Sequence, residues 1–328
     1  MIRPPAELEA PELARLIAAV AGTLRLYNLD DAIEDWTAQP SGNDAHRLGL
    51  WQEGALVAAT RVTLNGRARL RHSAELSLIC QPGVAVDALL AATVSLIDDW
   101  TPIDRLEITL PADHPTVPSW RAVGFQDEVY QRRRHPDGAD GRVLGRLRPG
   151  FLPRPPGPPP AWPQRRAAPE VEVRIRPLTE ADSAGVAALS TTPTAVWGTL
   201  QTPSSNDQHY RRRFLKTTPG NLVLVIEVAG QVAGLGGLHP TGIPGVASLG
   251  MTLHPDWQGC GLGRRLIDHQ IRSAIERGAR RLELGVWVDN TRAIALYERV
   301  GFVSEGARRC DGIRAGGHSS SMEMALFF

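Results

Sequence analysis

The residues with the clearest chemical potential are Gln258-Gly259-Cys260-Gly261-Leu262-Gly263, followed by Arg264 and Arg265. Closely spaced glycines let successive backbone N–H groups turn inward together, and a helix opening at that point adds partial positive charge. A loop of this kind holds a pyrophosphate, with Arg264 and Arg265 in place to add charge. It is not a Walker loop, because the Lys and Ser/Thr are missing. It is not a dinucleotide fingerprint either, because the spacing differs and the loop comes mid-domain. The other reading of the same glycines is a tight strand-to-helix turn without a ligand.

Several elements must hold this loop in place. VEVRIRPL reads as a first strand, and TEADSAG opens a helix. NLVLVIEV and QVAGLGGL read as strands joined by an Ala229-Gly230 hairpin turn, and ASLGMTL as a third apolar strand. From Gly261 to Arg277, Leu262, Leu266, Ile267, Ile271, Ala274 and Ile275 recur at helical spacing, and Gly278 suits the stop. LELGVWV alternates as a strand, Thr291 to Val300 forms a short helix, and the last strands follow Gly301-Phe302. The predicted class is α/β, a mixed sheet flanked by helices.

On these residues the second half resembles the GNAT acetyltransferase superfamily. MTLHPDWQGCGLGRRL is similar to its acetyl-CoA motif, and VDNTRAIALYERVGFVSEG to its second hallmark, an Asn, a Tyr seven residues on, then Gly-Phe. The resemblance covers residues 171 to 328 and leans toward bacterial enzymes acting on amino acids and small amines. It implies mostly antiparallel sheets and acetyl-CoA as co-substrate, with no metal. Backbone amides of Met251, Thr252 and Leu253, where the family splays two strands, would hold the pantetheine arm and polarise the thioester carbonyl. Gln258, Gly259, Cys260, Gly261, Leu262, Gly263 and Arg264 would form the pyrophosphate cradle, and Asn290 would bind the cofactor arm. Tyr297, two helical turns on and on the same face, would protonate the leaving thiolate, since a phenol near pKa 10 is still protonated at neutral pH. Its other reading is a core aromatic beside Gly301-Phe302.

No general base is assigned. Relatives that acetylate protein N-termini carry a glutamate five residues before the Asn, where this chain has Gly285. Glu227, His239 and Glu305 are candidates by type only, and His254 before Pro255 reads as a strand end. An amine can also lose its proton to water.

The first half reads as a degenerate copy. Ile2-Arg3-Pro4 recurs as Ile175-Arg176-Pro177, Arg105-Leu106-Glu107 as Arg281-Leu282-Glu283, and Val123-Gly124-Phe125 as Val300-Gly301-Phe302. Setting Arg105 on Arg281 places Pro82, Ala85 and Asp87 opposite Gln258, Gly261 and Gly263. This dismantles the cradle, and Asp87 either puts negative charge on the anion's place or caps the helix ALLAATVSLIDDW. Trp120 falls opposite Tyr297, and an indole donates a hydrogen bond without serving as a practical acid. The expected architecture is therefore two tandem GNAT folds: residues 1–146 degenerate, a stiff Pro-rich linker over 147–170, and a catalytic domain over 171–328.

Composition narrows the classes of function. The 328 residues suit two domains, and 42% hydrophobic with 22% charged residues is globular. A net charge of +1 gives no field for nucleic acid or anionic membrane, and the runs Arg132–Arg134 and Arg211–Arg213 read as solvated faces. The basic residues are arginines except Lys216. Cys80, Cys260 and Cys310 form neither a disulfide framework nor a zinc site. No leader or membrane span is evident, so the expectation is a cytoplasmic protein. The expected reaction is direct attack of a primary amine of a small molecule or amino acid on acetyl-CoA in a ternary complex. A protein or peptide amine and a non-catalytic acyl-CoA sensor are the alternatives. The sequence leaves open the acceptor, the acyl length and the oligomeric state, a homodimer included. Trp197 to Asn206 and the surroundings of Arg314 are expected to face the acceptor.

Overall fold

The computed structural model describes residues 1–3, 10–24, 34, 36, 45–203, 208 and 220–328. Asn206, Arg211–Arg213 and Lys216 lie outside the described residues. The chain divides into two compact units: Met1–Pro155 with Gly306–Ser320, and Pro156–Glu305 with Ser321–Phe328.

The first unit contains β1 (Ile2–Arg3), α1 (Ala10–Leu24), β2 (Ala45–Gln52), β3 (Ala55–Leu64), β4 (Ser73–Cys80), α2 (Asp87–Trp100), β5 (Arg105–Pro111), α3 (Val117–Ala122), β6 (Gln126–Gln131) and β7 (Gly141–Leu147). Strands β2, β3 and β4 form an antiparallel meander, β5 runs parallel to β4 from Ser73↔Arg105, and β7 lies between β5 and β6. Leu13, Leu16, Ile17 and Val20 fall at helical spacing on α1 and bury against Trp51, Ala59 and Ile79. Leu89, Leu90 and Ile97 of α2 pack with Leu76, Leu106, Ile108, Trp120 and Phe125. Under this layer Arg105, 1% exposed, donates to Glu107 (2.6 Å) and Glu128 (2.5 Å).

The second unit contains β8 (Val173–Pro177), α4 (Ser183–Ser190), α5 (Pro193–Gly198), β9 (Leu222–Val228), β10 (Gln231–Pro240), β11 (Val246–Leu253), α6 (Leu262–Glu276), β12 (Arg281–Trp287) and α7 (Thr291–Arg299), followed by β13 (Val303–Arg314) and β14 (Gly317–Phe327), which it shares in part. Thr179 and Asp182 form a capping box ahead of α4, and Arg176 on β8 grips both Asp182 oxygens at 2.8 Å. The β9–β10 turn places Ala229 and Gly230 at φ 48° and 79°, the left-handed pair that a two-residue hairpin requires.

Strands β11 and β12 pair in parallel only from Val246↔Arg281 to Ser248↔Glu283. Beyond that point β11 stays with β10 as far as Leu253↔Gly234, while β12 stays with β14 as far as Trp287↔Ser321. A register irregularity in β10 between Val232 and Gly234 lies opposite the end of β11, where bulges bend strands. The two strands therefore part, and their facing edges beyond Ser248 and Glu283 have no strand partner in each other. Among the described residues no helix is long and apolar enough to cross a membrane.

Candidate active site

The glycine loop lies at the end of β11, beside the opening between the strands. Gly259 and Gly261 have φ of 80° and 89°, the left-handed region in which successive amides converge. Gly261 is the N-cap of the 15-residue helix α6, with no side chain capping it and no acidic residue in the first turn. The first-turn N–H groups of Leu262, Gly263 and Arg264 thus have no partner within the helix, and they carry the positive end of its dipole. A Cβ at Gly261 would meet nothing within 4 Å, so the space beside this glycine is open. At Gly263 a Cβ would lie 3.3 Å from Leu253 and Leu296 and 3.5 Å from Met251, so this glycine lets α6 approach β11 and α7. The site fits a diphosphate bound through backbone amides.

The other predicted cradle residues contribute differently. Gln258 turns its amide to the Leu253 carbonyl (2.9 Å) and to Thr194 Oγ1 (3.2 Å), tying the loop to the end of β11 and to α5. Cys260 is buried, its Sγ against the Trp257 carbonyl at 3.0 Å. The Leu262 side chain belongs to the apolar core, which leaves its amide as the group it offers. Arg264 is held by both oxygens of Asp268 (2.9 and 2.8 Å). Met251, Thr252 and Leu253 lie on the diverging part of β11, opposite Gly236, Leu235 and Gly234 of β10.

Asn290 and Tyr297 come from α7. Asn290 caps the helix, its Oδ1 accepting from Ala293 N at 3.3 Å, and its Nδ2 lies 3.7 Å from the place a Cβ of Gly198 would take. Tyr297 is 7% exposed and packs in the core with Leu284, Val286 and Met324, tilted against Phe302 at 5.8 Å. Burial pushes its phenol up to about 12. The ring is thus a core aromatic beside Phe302, and no hydrogen bond to its hydroxyl is found among the described residues.

The carboxylates considered by type are engaged elsewhere. Glu305 pairs with Arg281 at 2.6 and 2.9 Å, and Glu227 pairs with Arg176 at 2.7 Å. His239 faces Asn221 at 3.1 Å. His254 caps the short turn at Pro255–Trp257, accepting from Asp256 N, as its place before a proline suggested.

Glu323, which sequence reasoning missed, lies on β14 directly opposite Gly285 of β12. Its Oε1 is 3.5 Å from where a Gly285 Cβ would be. Opposed residues in an antiparallel pair share a sheet face, so this carboxylate lies over Gly285, two residues beyond the last β11–β12 pair. Only strand register brings positions 285 and 323 together, so no local spacing could reveal it. Thr194, on α5, meets Gln258 through packing between elements 64 residues apart in sequence, which no local spacing reveals either.

In the first unit, α2 begins at Asp87 with Val86 as N-cap in the right-handed region, and no side chain caps it. This corrects two readings. Asp87 is the exposed first residue of the helix rather than its cap, and Val86 rather than Ala85 occupies the position that Gly261 holds before α6. The reason is a shortening: β5 begins at Arg105 after a helix starting at 87, whereas β12 begins at Arg281 after one starting at 262, one residue further on. Trp120 is fully buried against Phe125, edge to face at 5.0 Å.

The model of the acetyltransferase (GNAT) family matches residues 188–302. The ribosomal protein bS18-alanine N-acetyltransferase of Salmonella typhimurium is 42% identical over 76 residues, 23% of this chain and 51% of that protein. The chain thus spans about half the length of that relative. The L-amino acid N-acetyltransferase AaaT of Escherichia coli is 29% identical over 159 residues, 47% of this chain and 97% of that protein. The crystal structure of spermidine N-acetyltransferase from Vibrio cholerae in complex with CoA and spermine aligns with a TM-score of 0.44 and 22% identity, covering 47% of this chain and 95% of that one.

Proposed function

We propose, from the GNAT acetyltransferase domain in the C-terminal part of the chain, that this protein transfers the acetyl group of acetyl-CoA to a primary amine of a small molecule or amino acid. The observation that carries the reading is the uncapped start of α6 behind the left-handed Gly259 and Gly261, beside strands that part at Ser248 and Glu283. Amides of the loop would hold the diphosphate, and the free edge of β11 at Met251–Leu253 would hold the pantetheine arm. Gln258 would keep the loop in register with both, while the Asn290 amide would meet the arm from α7. The amine nitrogen attacks the thioester carbon directly, the C–N bond forms and the C–S bond breaks. Tyr297 donates to the departing sulfur, and Glu323 receives the proton lost by the amine. No covalent enzyme intermediate is involved, and Cys260, turned to a carbonyl, takes no part.

A peptide N-terminal amine is the second reading, supported by the identity with the ribosomal-protein enzyme over 76 residues. We also propose that the chain is a tandem duplication acting in the cytoplasm: a degenerate copy over 1–146, a linker over 147–170 and a catalytic copy over 171–328. Each unit buries an Arg-x-Glu strand start against a distant glutamate, Arg105 with Glu107 and Glu128, and Arg281 with Glu283 and Glu305. That repetition supports common descent of the two halves.

The test is acetyl-CoA turnover, read as released thiol, against amino acids, polyamines and short peptides, for the wild type and Tyr297→Phe. Turnover confined to one amine class and lost in the variant supports the enzyme and identifies its acceptor class. Tight acetyl-CoA binding without turnover on any amine would favour a sensor.

A further inference from the structure

The Pro-rich segment carries a short stretch that does not behave as a bare spacer. The Pro163 carbonyl accepts from Arg292 Nη1 at 2.8 Å, and Arg292 belongs to the first turn of α7. Three residues on, Arg166 N donates to the Gly259 carbonyl at 3.0 Å, and Arg166 Nη1 reaches the Asp256 carbonyl at 3.2 Å. Between these anchors, a Cβ at Gly259 would come within 2.6 Å of the Gln164 carbonyl and 3.3 Å of the Arg165 Cα. Residues 163–166 therefore cross from the first turn of α7 to the glycine loop ahead of α6, lying on the loop backbone. Gly259 is needed twice over, for its positive φ and because any side chain would strike this strap.

Charge points the same way. The two arginines that follow the loop in sequence are turned to other partners: Arg264 to Asp268, and Arg265 toward the Val173 carbonyl at 3.4 Å. Arg165 and Arg166, both exposed, arrive at the loop from the strap instead. Cationic side chains beside converging amides are what a diphosphate requires, and hydrogen bonds from guanidinium to phosphate are among the stronger ones.

We propose that residues 163–166 form the outer wall of the diphosphate site, with Arg165 and Arg166 supplying the cationic contacts to coenzyme A. The proposal rests on the acetyl-CoA reading above. The strap fixes the loop in its anion-binding form before the ligand arrives, and the ligand's diphosphate neutralises the charges of two consecutive arginines.

Calorimetric titration with non-acylated CoA tests this without any acceptor amine. In the full chain, Arg165→Ala with Arg166→Ala should weaken CoA binding about tenfold or more. The deficit should shrink in high salt. Arg272→Ala, which removes one exposed charge from α6 away from the loop, should change binding less than about twofold. The same deficit should appear with 3′-dephospho-CoA, because the contact is to the diphosphate. Saturating CoA should slow trypsin cleavage after Arg165 and Arg166. Wild-type-like or tighter binding by the double variant would overturn the proposal and leave the acetyl-CoA reading standing. So would a deficit that vanishes with 3′-dephospho-CoA, or cleavage unchanged by bound CoA. Absence of CoA binding by the wild type would overturn both.

Discussion

Replacing Tyr297 by Phe removes one oxygen from a packed ring. The ring lies in the core with Leu284, Val286 and Met324 and leans on Phe302 at 5.8 Å, all of which Phe retains. The hydroxyl has no partner among the described residues, so no hydrogen bond is lost with it, and the melting temperature should stay within about 2 °C of wild type. The effect on chemistry is of another order. Burial moves the phenol from 10 to about 12, which makes its ionisation costlier by about 3 kcal/mol. A free thiol has a reference pKa of roughly 8.5. Full proton transfer from this phenol to a water-like thiolate would thus run uphill. In the proposed role the phenol would act first as a hydrogen-bond donor to the charge developing on sulfur, and the proton would cross as that charge builds in the same desolvated place. Loss of such a positioned acid costs about 10²- to 10⁴-fold, and kcat should carry the loss rather than KM. The sign of the pH dependence follows. A raised pKa keeps the active, protonated form through pH 10 and loses it only toward 12, so kcat should show no descending limb from Tyr297 below about pH 10. Steady-state thiol release from pH 6 to 10 measures both. A Tyr297→Phe kcat within about threefold of wild type would refute the reasoning. So would an alkaline limb below pH 10 that disappears in the variant.

Glu323→Gln should lower kcat/KM by about 10²- to 10⁴-fold, with CoA affinity unchanged by calorimetry. Gly261→Ala meets nothing within 4 Å, so its cost is conformational, roughly 1–2 kcal/mol for the left-handed φ of 89°; weakened CoA binding in a folded protein should follow. Glu305→Gln leaves Arg281, 1% exposed, without its main charge partner, and should destabilise the protein to urea by about 3–5 kcal/mol, far more than an exposed pair such as Arg264–Asp268 would.

By itself the sequence determined the local elements and the loop. Helix α6 was legible because six apolar residues recur at helical spacing between Gly261 and Gly278, and the β9–β10 hairpin because Ala229-Gly230 interrupts two apolar runs. The loop was legible because positive φ leaves glycine as its mark. The helix α5 at Pro193–Gly198 was not, since six residues are too few to show a period. The site of Asp87 was misread by one position, because a helix start depends on where the backbone turns and not on which residue could cap it. Tertiary structure alone decided which groups meet. Strand register put Glu323 over Gly285, and chain return put Arg281 against Glu305, withdrawing that glutamate from chemistry. The course of residues 163–166 brought Arg165 and Arg166 to a loop more than ninety residues downstream, while Arg264 and Arg265, adjacent in sequence, turned away. Spacing along a chain fixes which side chains share a face of one element. Contacts between elements follow from where each buries its apolar face, and that is a property of the whole fold.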